Sequence, residues 1–186
     1  PLLESIEKHF SIIKTNTVVI KDVNDDEVID IINHMKNFKS EIRFIEYMDV
    51  GESNKWDPSK VVSSESLLES INEHYSLKQM KTETSSTAKK WHIKDSNSSI
   101  GLISSITQPF CSSCNRARLS VDGKLFTCLF ASNGFDIKSV IRSDNYEEKL
   151  LEFFKKIWME RSDQYSQIRF SSKRDLPKVE MSYIGG

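Results

Sequence analysis

The sequence predicts an α/β fold in two parts: the C-terminal portion of a (β/α) barrel over residues 1–80, then an antiparallel β plus helical extension over residues 81–186. Three observations carry this. A β-branched run, a 3.6-period apolar pattern and a second apolar run follow one another, which reads as strand, helix and strand around a parallel sheet. The character then changes at a polar Thr/Ser/Lys stretch over residues 81–87, a linker or surface loop. Beyond it, Asp122-Gly123 stands between two apolar runs as a hairpin turn.

Taken in order, the chain opens on a helical spacing of Leu2, Leu3, Ile6 and Phe10. Ile12-Ile13-Lys14-Thr15-Asn16-Thr17-Val18-Val19-Ile20 reads as a buried strand. Asn24-Asp25-Asp26 can cap a helix whose apolar positions are Val28, Ile31, Ile32 and Met35, with Glu27 favourable near its positive end. Ile42-Arg43-Phe44-Ile45-Glu46-Tyr47-Met48 is the next strand, and a helix is expected over about 64–75. Two strands cannot close a barrel of eight, so this part reads as the tail of a larger barrel.

In the extension, residues 100–107 and 117–121 read as strands, and Asp122-Gly123 turns the second into Lys124-Leu125-Phe126-Thr127-Cys128. Helices are expected over 137–142 and 146–161, the longer one with an apolar face of Leu150, Leu151, Phe154, Ile157 and Trp158. Residues 162–186 read as polar and extended.

Composition narrows the function. The 26 basic and 27 acidic side chains leave a net charge of −1, so no global field attracts nucleic acid or an anionic membrane, and any anion site must be local. No apolar run approaches the roughly 20 residues of a membrane span, and the first ten residues lack the pattern of a signal peptide. Three cysteines within eighteen residues fit a reducing compartment, cytoplasmic or organellar matrix, and a metal site rather than a disulfide framework.

Cys111-Ser112-Ser113-Cys114 can offer two thiolates to one centre, and the hairpin returns Cys128 as a third. Spacing leaves three readings open: a Cys₃His zinc site completed by His92, an iron–sulfur cluster, and buried free thiols. In a four-iron cubane, three thiolates leave one iron for an exogenous ligand. Arg116 and Arg118 follow at once; as alternate residues of a strand they project to one face and can clamp phosphate, or they are two solvated arginines. Lys14 and Arg43 stand in otherwise apolar runs, where they can snorkel or pair with an acid such as Glu46.

The run Pro109-Phe110-Cys111-Ser112-Ser113-Cys114-Asn115-Arg116-Ala117-Arg118-Leu119, followed by Asp122-Gly123-Lys124-Leu125-Phe126-Thr127-Cys128-Leu129-Phe130, resembles the C-terminal cluster region of MoaA-type GTP 3′,8-cyclases. These are radical S-adenosylmethionine enzymes of molybdenum cofactor biosynthesis. Lys14-Thr15-Asn16-Thr17-Val18-Val19, Arg43-Phe44-Ile45-Glu46-Tyr47-Met48 and the terminal Met181-Ser182-Tyr183-Ile184-Gly185-Gly186 agree as well. The resemblance implies an incomplete (β/α) barrel with an extension that carries an auxiliary 4Fe–4S cluster on Cys111, Cys114 and Cys128, its open iron binding the guanine end of GTP. It implies nucleotide contacts from Arg116 and Arg118, triphosphate contacts from Lys14 and Arg43, and S-adenosylmethionine near Met48. The tail Gly185-Gly186 would thread toward the active site, where residues without side chains approach a crowded centre closely; its other reading is a frayed terminus.

The family's radical-generating Cys-x-x-x-Cys-x-x-Cys loop, which binds a second 4Fe–4S cluster, is absent from this sequence. The chain therefore resembles the substrate half, expected to be inactive without an N-terminal radical half, in the same native chain or separate. No catalytic residue is assigned to it, and a homodimer is compatible with the sequence. Two other classes compete: the auxiliary-cluster domain of a peptide maturase, which has no need of a polyanion clamp, and a non-enzymatic zinc-binding module.

Overall fold

The computed structural model describes residues 2–168 and 178–184. The chain divides into two compact units, Pro1–Met48 with Asp57–Phe110, and Asp49–Trp56 with Cys111–Gly186.

The first unit runs α1 (Leu2–Glu7), β1 (Ile13–Val19), α2 (Val28–Met35), β2 (Ser40–Glu46), α3 (Ser64–His74), β3 (Leu77–Gln79), β4 (Lys89–Ile93) and β5 (Ser99–Ile103). The strands form one sheet in the order β1-β2-β5-β4-β3. The pairs β1–β2 and β2–β5 are parallel, and β5–β4 and β4–β3 antiparallel. Because side chains alternate across a strand, the register sorts the sheet into two faces. Val19, Ile42, Phe44, Ile100 and Leu102 form a core with Val28, Ile32 and Met35 of α2 and Leu67 and Ile71 of α3. Burying each such side chain is worth about 1.5–3 kcal/mol over leaving it in water. The other face carries Lys14, Asn16, Glu41, Arg43, Gly101 and Lys90, aligned by the pairs Lys14↔Glu41, Asn16↔Arg43, Arg43↔Gly101 and Gly101↔Lys90.

The βα order stands as expected, but the described residues form an open mixed sheet and no closed barrel. The polar stretch at 81–87 is a connection between β3 and β4 of that same sheet, so the first unit continues past residue 80. The strand expected over 100–107 ends at Ile103 and lies parallel to β2 on one side. Its continuation is drawn out of the sheet where the backbone N–H groups of Ile106 and Thr107 donate to Glu46 at 2.8 and 2.9 Å. Asn24 closes the end of β1 rather than capping α2: its Oδ1 accepts from Ile20 N at 2.8 Å and its Nδ2 donates to the Val18 carbonyl at 3.0 Å. A short 3-10 turn, Asp25–Glu27, then leads into α2. At α3, Ser63 supplies the cap, its Oγ accepting from Ser66 N at 3.1 Å.

The second unit holds β6 (Arg118–Leu119), β7 (Lys124–Phe126), β8 (Phe135–Asp136), α4 (Lys138–Ile141), α5 (Tyr146–Met159) and α6 (Tyr165–Ile168). The strands pair antiparallel in that order. Asp122-Gly123 makes the expected turn, with Gly123 at φ +80°. The hairpin is shorter than the sequence suggested, because Ser120 Oγ takes the Lys124 N–H at 3.0 Å and donates to Asp122 at 2.5 Å, closing the loop. Leu125, Ile137 and Ile157 form a small core with Phe153. On α5 Ile157 of the expected apolar face is buried, with half-buried Phe153 packed beside it, while Leu151, Phe154 and Trp158 of that face are exposed. The tail is not wholly extended, since α6 and the turn at 181–184 interrupt it. No described helix is long and apolar enough to cross a membrane.

Loop 49–56 carries a backbone constraint that the sequence did not announce. Gly51 has φ +70°, and a Cβ there would collide with the Glu180 carboxylate, which accepts from Glu52 N at 2.8 Å and Ser53 N at 3.1 Å. Gly51→Ala is expected to cost on the order of 2 kcal/mol, combining left-handed backbone strain with loss of the Glu180 contacts. Urea denaturation of the wild type and variant measures it; equal stability would refute the constraint.

Candidate functional site

In the second unit, Cys111–Ser113 forms a single 3-10 turn closed by Cys114 N donating to the Cys111 carbonyl at 3.1 Å. Cys128 lies just past the end of β7. All three thiols are free and half-buried. Donors already point at the sulfurs: Arg116 Nη2 to Cys114 Sγ at 3.0 Å, and Phe130 N to Cys128 Sγ at 3.4 Å. N–H donors aimed at sulfur match the charge of a thiolate, the form that binds iron or zinc. Among the described residues no group of three or more His, Cys, Asp and Glu side chains is gathered as a single-ion site. His92, the candidate fourth zinc ligand, belongs to β4 of the first unit.

The thiols are held in different electrostatic settings. Burial pushes the Cys114 thiol up, but hydrogen bonds from the Arg116 backbone and from the Arg161 and Arg116 guanidinium groups outweigh it, leaving the thiol below its ordinary range. Burial raises Cys128, the Phe130 N–H offsets only part, and Asp163 and Cys111 raise it further. Arg118 is lowered first by burial and then by Arg116, with Cys114 and Cys128 opposing. Arg118 therefore stands in the field of two cysteines and a second arginine. Arg116 precedes β6 instead of beginning it, so the pair is not set by strand alternation.

Sequence reasoning missed Arg161. Its Nη1 donates to the Cys114 carbonyl at 2.7 Å, its Nε to Asp163 at 2.9 Å, and its guanidinium lies 4.8 Å over the Trp158 ring. Asp163 also accepts from Thr127 Oγ1 at 3.2 Å, so one ion pair links the Cys114 turn to the residue before Cys128. As the last residue of the helix expected over 146–161, Arg161 carries no sequence signal of a contact 47 residues back.

In the first unit Lys14 is exposed on β1, and Arg43 is half-buried on β2. Of the two readings for Arg43, snorkelling or pairing with an acid such as Glu46, pairing holds, but the acid is Glu41, which receives Arg43 Nε at 2.6 Å and Lys90 Nζ at 2.9 Å. Burial pulls the Glu41 carboxyl up, but the hydrogen bonds from Lys90 and Arg43 prevail and hold it below the usual range. Glu46 is fully buried at the end of β2 and accepts from Ser64 N at 2.8 Å and Thr107 Oγ1 at 2.5 Å besides the two amides above. Met48 follows β2 as a half-buried residue. Gly185 and Gly186 lie outside the described residues.

The sequence model of the family described as Molybdenum Cofactor Synthesis C matches residues 40–167. Proteins named GTP 3′,8-cyclase from Staphylococcus aureus strains JH9, Newman and Mu3 / ATCC 700698 are each 43% identical to the chain over 193 residues. Those alignments take in 100% of this chain and 57% of each relative.

Proposed function

Because the chain belongs to the Molybdenum Cofactor Synthesis C family, we propose that it is the nucleotide-binding part of a GTP 3′,8-cyclase, which converts GTP to 3′,8-cyclo-7,8-dihydro-GTP. The observation that carries this is the thiol set Cys111, Cys114 and Cys128, with N–H donors aimed at its sulfurs and Arg116 and Arg118 beside it. The donor set fits a 4Fe–4S cluster with three protein ligands. When bound, that cluster supplies a Lewis-acidic iron open to the guanine end of the substrate.

The chain's own residues then bind and orient. GTP brings several negative charges at one end and purine nitrogen and oxygen donors at the other, so a pocket needs cations for the first and a metal acceptor for the second. Arg116 and Arg118 contact the nucleotide, Lys14 and Arg43 its triphosphate, and Met48 lies near S-adenosylmethionine. Holding ribose C3′ against guanine C8 in a near-attack geometry is where this chain lowers the barrier, by up to ~7–11 kcal/mol in favourable cases.

The chain spans little more than half the length of its relatives, 57%. In this reading its open sheet is part of an incomplete (β/α) barrel, and the radical chemistry, with S-adenosylmethionine and a second 4Fe–4S cluster, belongs to an N-terminal half. A reducing compartment, the cytoplasm or an organellar matrix, suits such clusters.

The test uses this chain, whose cysteines are Cys111, Cys114 and Cys128. Anaerobic reconstitution is expected to load about four irons and negligible zinc, and GTP is expected to shift the cluster's EPR spectrum. The shift should vanish in Arg116→Ala/Arg118→Ala. Zinc in place of iron, or a spectrum indifferent to GTP, refutes the assignment.

A further inference from the structure

Four strands bring an unassigned cation to the sheet face of Lys14 and Arg43. Lys90 of β4 pairs across β5 with Gly101, and Gly101 with Arg43 of β2. Gly101 has no side chain to stand between them, and a Cβ there would lie 3.2 Å from Arg43 Cγ. Across this gap Lys90 Nζ reaches Glu41 Oε2 at 2.9 Å, while Arg43 Nε holds Glu41 Oε1 at 2.6 Å. Glu41 is almost wholly buried, at 5% side-chain exposure, whereas Arg43 and Lys90 keep 23% and 27%. Lys14 is the register neighbour of Glu41 on β1. Two cations thus grip one sunken carboxylate, with Lys14 in register beside it on the neighbouring strand.

The geometry of Arg43 shows what the carboxylate is for. Glu41 takes only the Nε edge and leaves the terminal fork, the part that matches phosphate bidentately, without a protein partner among the described residues. Lys90 likewise spends one of its three donors. A buried anion that binds each cation by one edge fixes two flexible side chains in place, so less rotamer entropy remains to be lost when a ligand arrives.

We propose that Lys90 is a further binding residue for the phosphate end of the nucleotide, acting beside Arg43, and that Glu41 is the positioning residue that aligns the two. This rests on the nucleotide reading above.

Calorimetric titration of the intact, anaerobically reconstituted protein tests it. Lys90→Met is expected to weaken GTP binding about tenfold, the loss of one charge-assisted contact, with GMP changed less than about twofold. Lys90→Arg should recover most of it. Glu41→Gln separates positioning from bare electrostatics. Removing a negative charge beside a polyanion would by itself tighten binding, whereas loss of alignment weakens it, here by about fivefold. Should Lys90→Met fail to fold because Glu41 is left half-paired, Lys90→Met/Glu41→Gln removes both charges and should still lower the GTP to GMP affinity ratio. An unchanged ratio, or tighter GTP binding in Glu41→Gln, overturns the inference while GTP binding by the wild type stands. A wild type that binds no GTP removes the underlying reading instead.

Discussion

Glu46→Ala is expected to destabilise the first unit by about 4 kcal/mol, a large share of the roughly 5–15 kcal/mol that holds a domain together. The side chain is fully buried and collects four donors: Ser64 N, Ile106 N, Thr107 N and Thr107 Oγ1. Alanine removes every acceptor at once, from the buried Ser64 N–H and the part-buried Ile106 and Thr107 N–H groups, and each amide left unpaired away from water costs about 1–3 kcal/mol. Two connections loosen together, the start of α3 and the chain leaving β5. Glu46→Gln keeps one acceptor oxygen and should lose roughly half as much. Urea denaturation gives the magnitude, and amide exchange at Ser64, Ile106 and Thr107 should accelerate in step. A loss below about 1 kcal/mol would mean that water replaces the carboxylate.

Cys128→Ala is expected to abolish stable iron loading at the second unit's site while leaving the apoprotein folded within about 1 kcal/mol. A cubane held by two thiolates of one short turn has no anchor on the hairpin, and thiolates are the ligands such clusters require. The thiol is half-buried and makes one weak hydrogen bond, from Phe130 N at 3.4 Å, so its removal alone disturbs little packing. Iron content and visible absorption after anaerobic reconstitution of this chain read the result. A full complement of iron in Cys128→Ala would refute the three-thiolate site, and a collapsed apo fold would show that Cys128 serves packing.

The parts of the candidate site that were legible in the chain are those whose signals are local. Cys111 and Cys114 are three residues apart, and Asp122-Gly123 specifies the turn that sends the strand back toward Cys128. The β-branched run of β1 and the 3.6-period stripe of α2 likewise name their own conformations. Misreadings arose where a side chain far along the chain intervened. Glu46 ended β5 from 60 residues away; the hairpin was instead shortened locally, by Ser120 Oγ bonding Lys124 N and Asp122. On α5 the expected face is only partly used, because Leu125 and Ile137 meet Ile157 and Phe153.

Short-range pattern carries the candidate chemistry: three thiols within eighteen residues, arginines beside them, and a βα order that builds a parallel core. Periodicity, ligand spacing and turn residues act over a few positions, so they survive without knowledge of the fold. Only the tertiary structure decided which charges meet. Glu41, and not Glu46, pairs with Arg43; Lys90 joins them from 49 residues away, and Arg161 reaches the Cys114 carbonyl from 47. Those meetings depend on strand register and on the gap at Gly101. Register is set by packing across the whole sheet, where a slip of one residue would send every side chain to the other face.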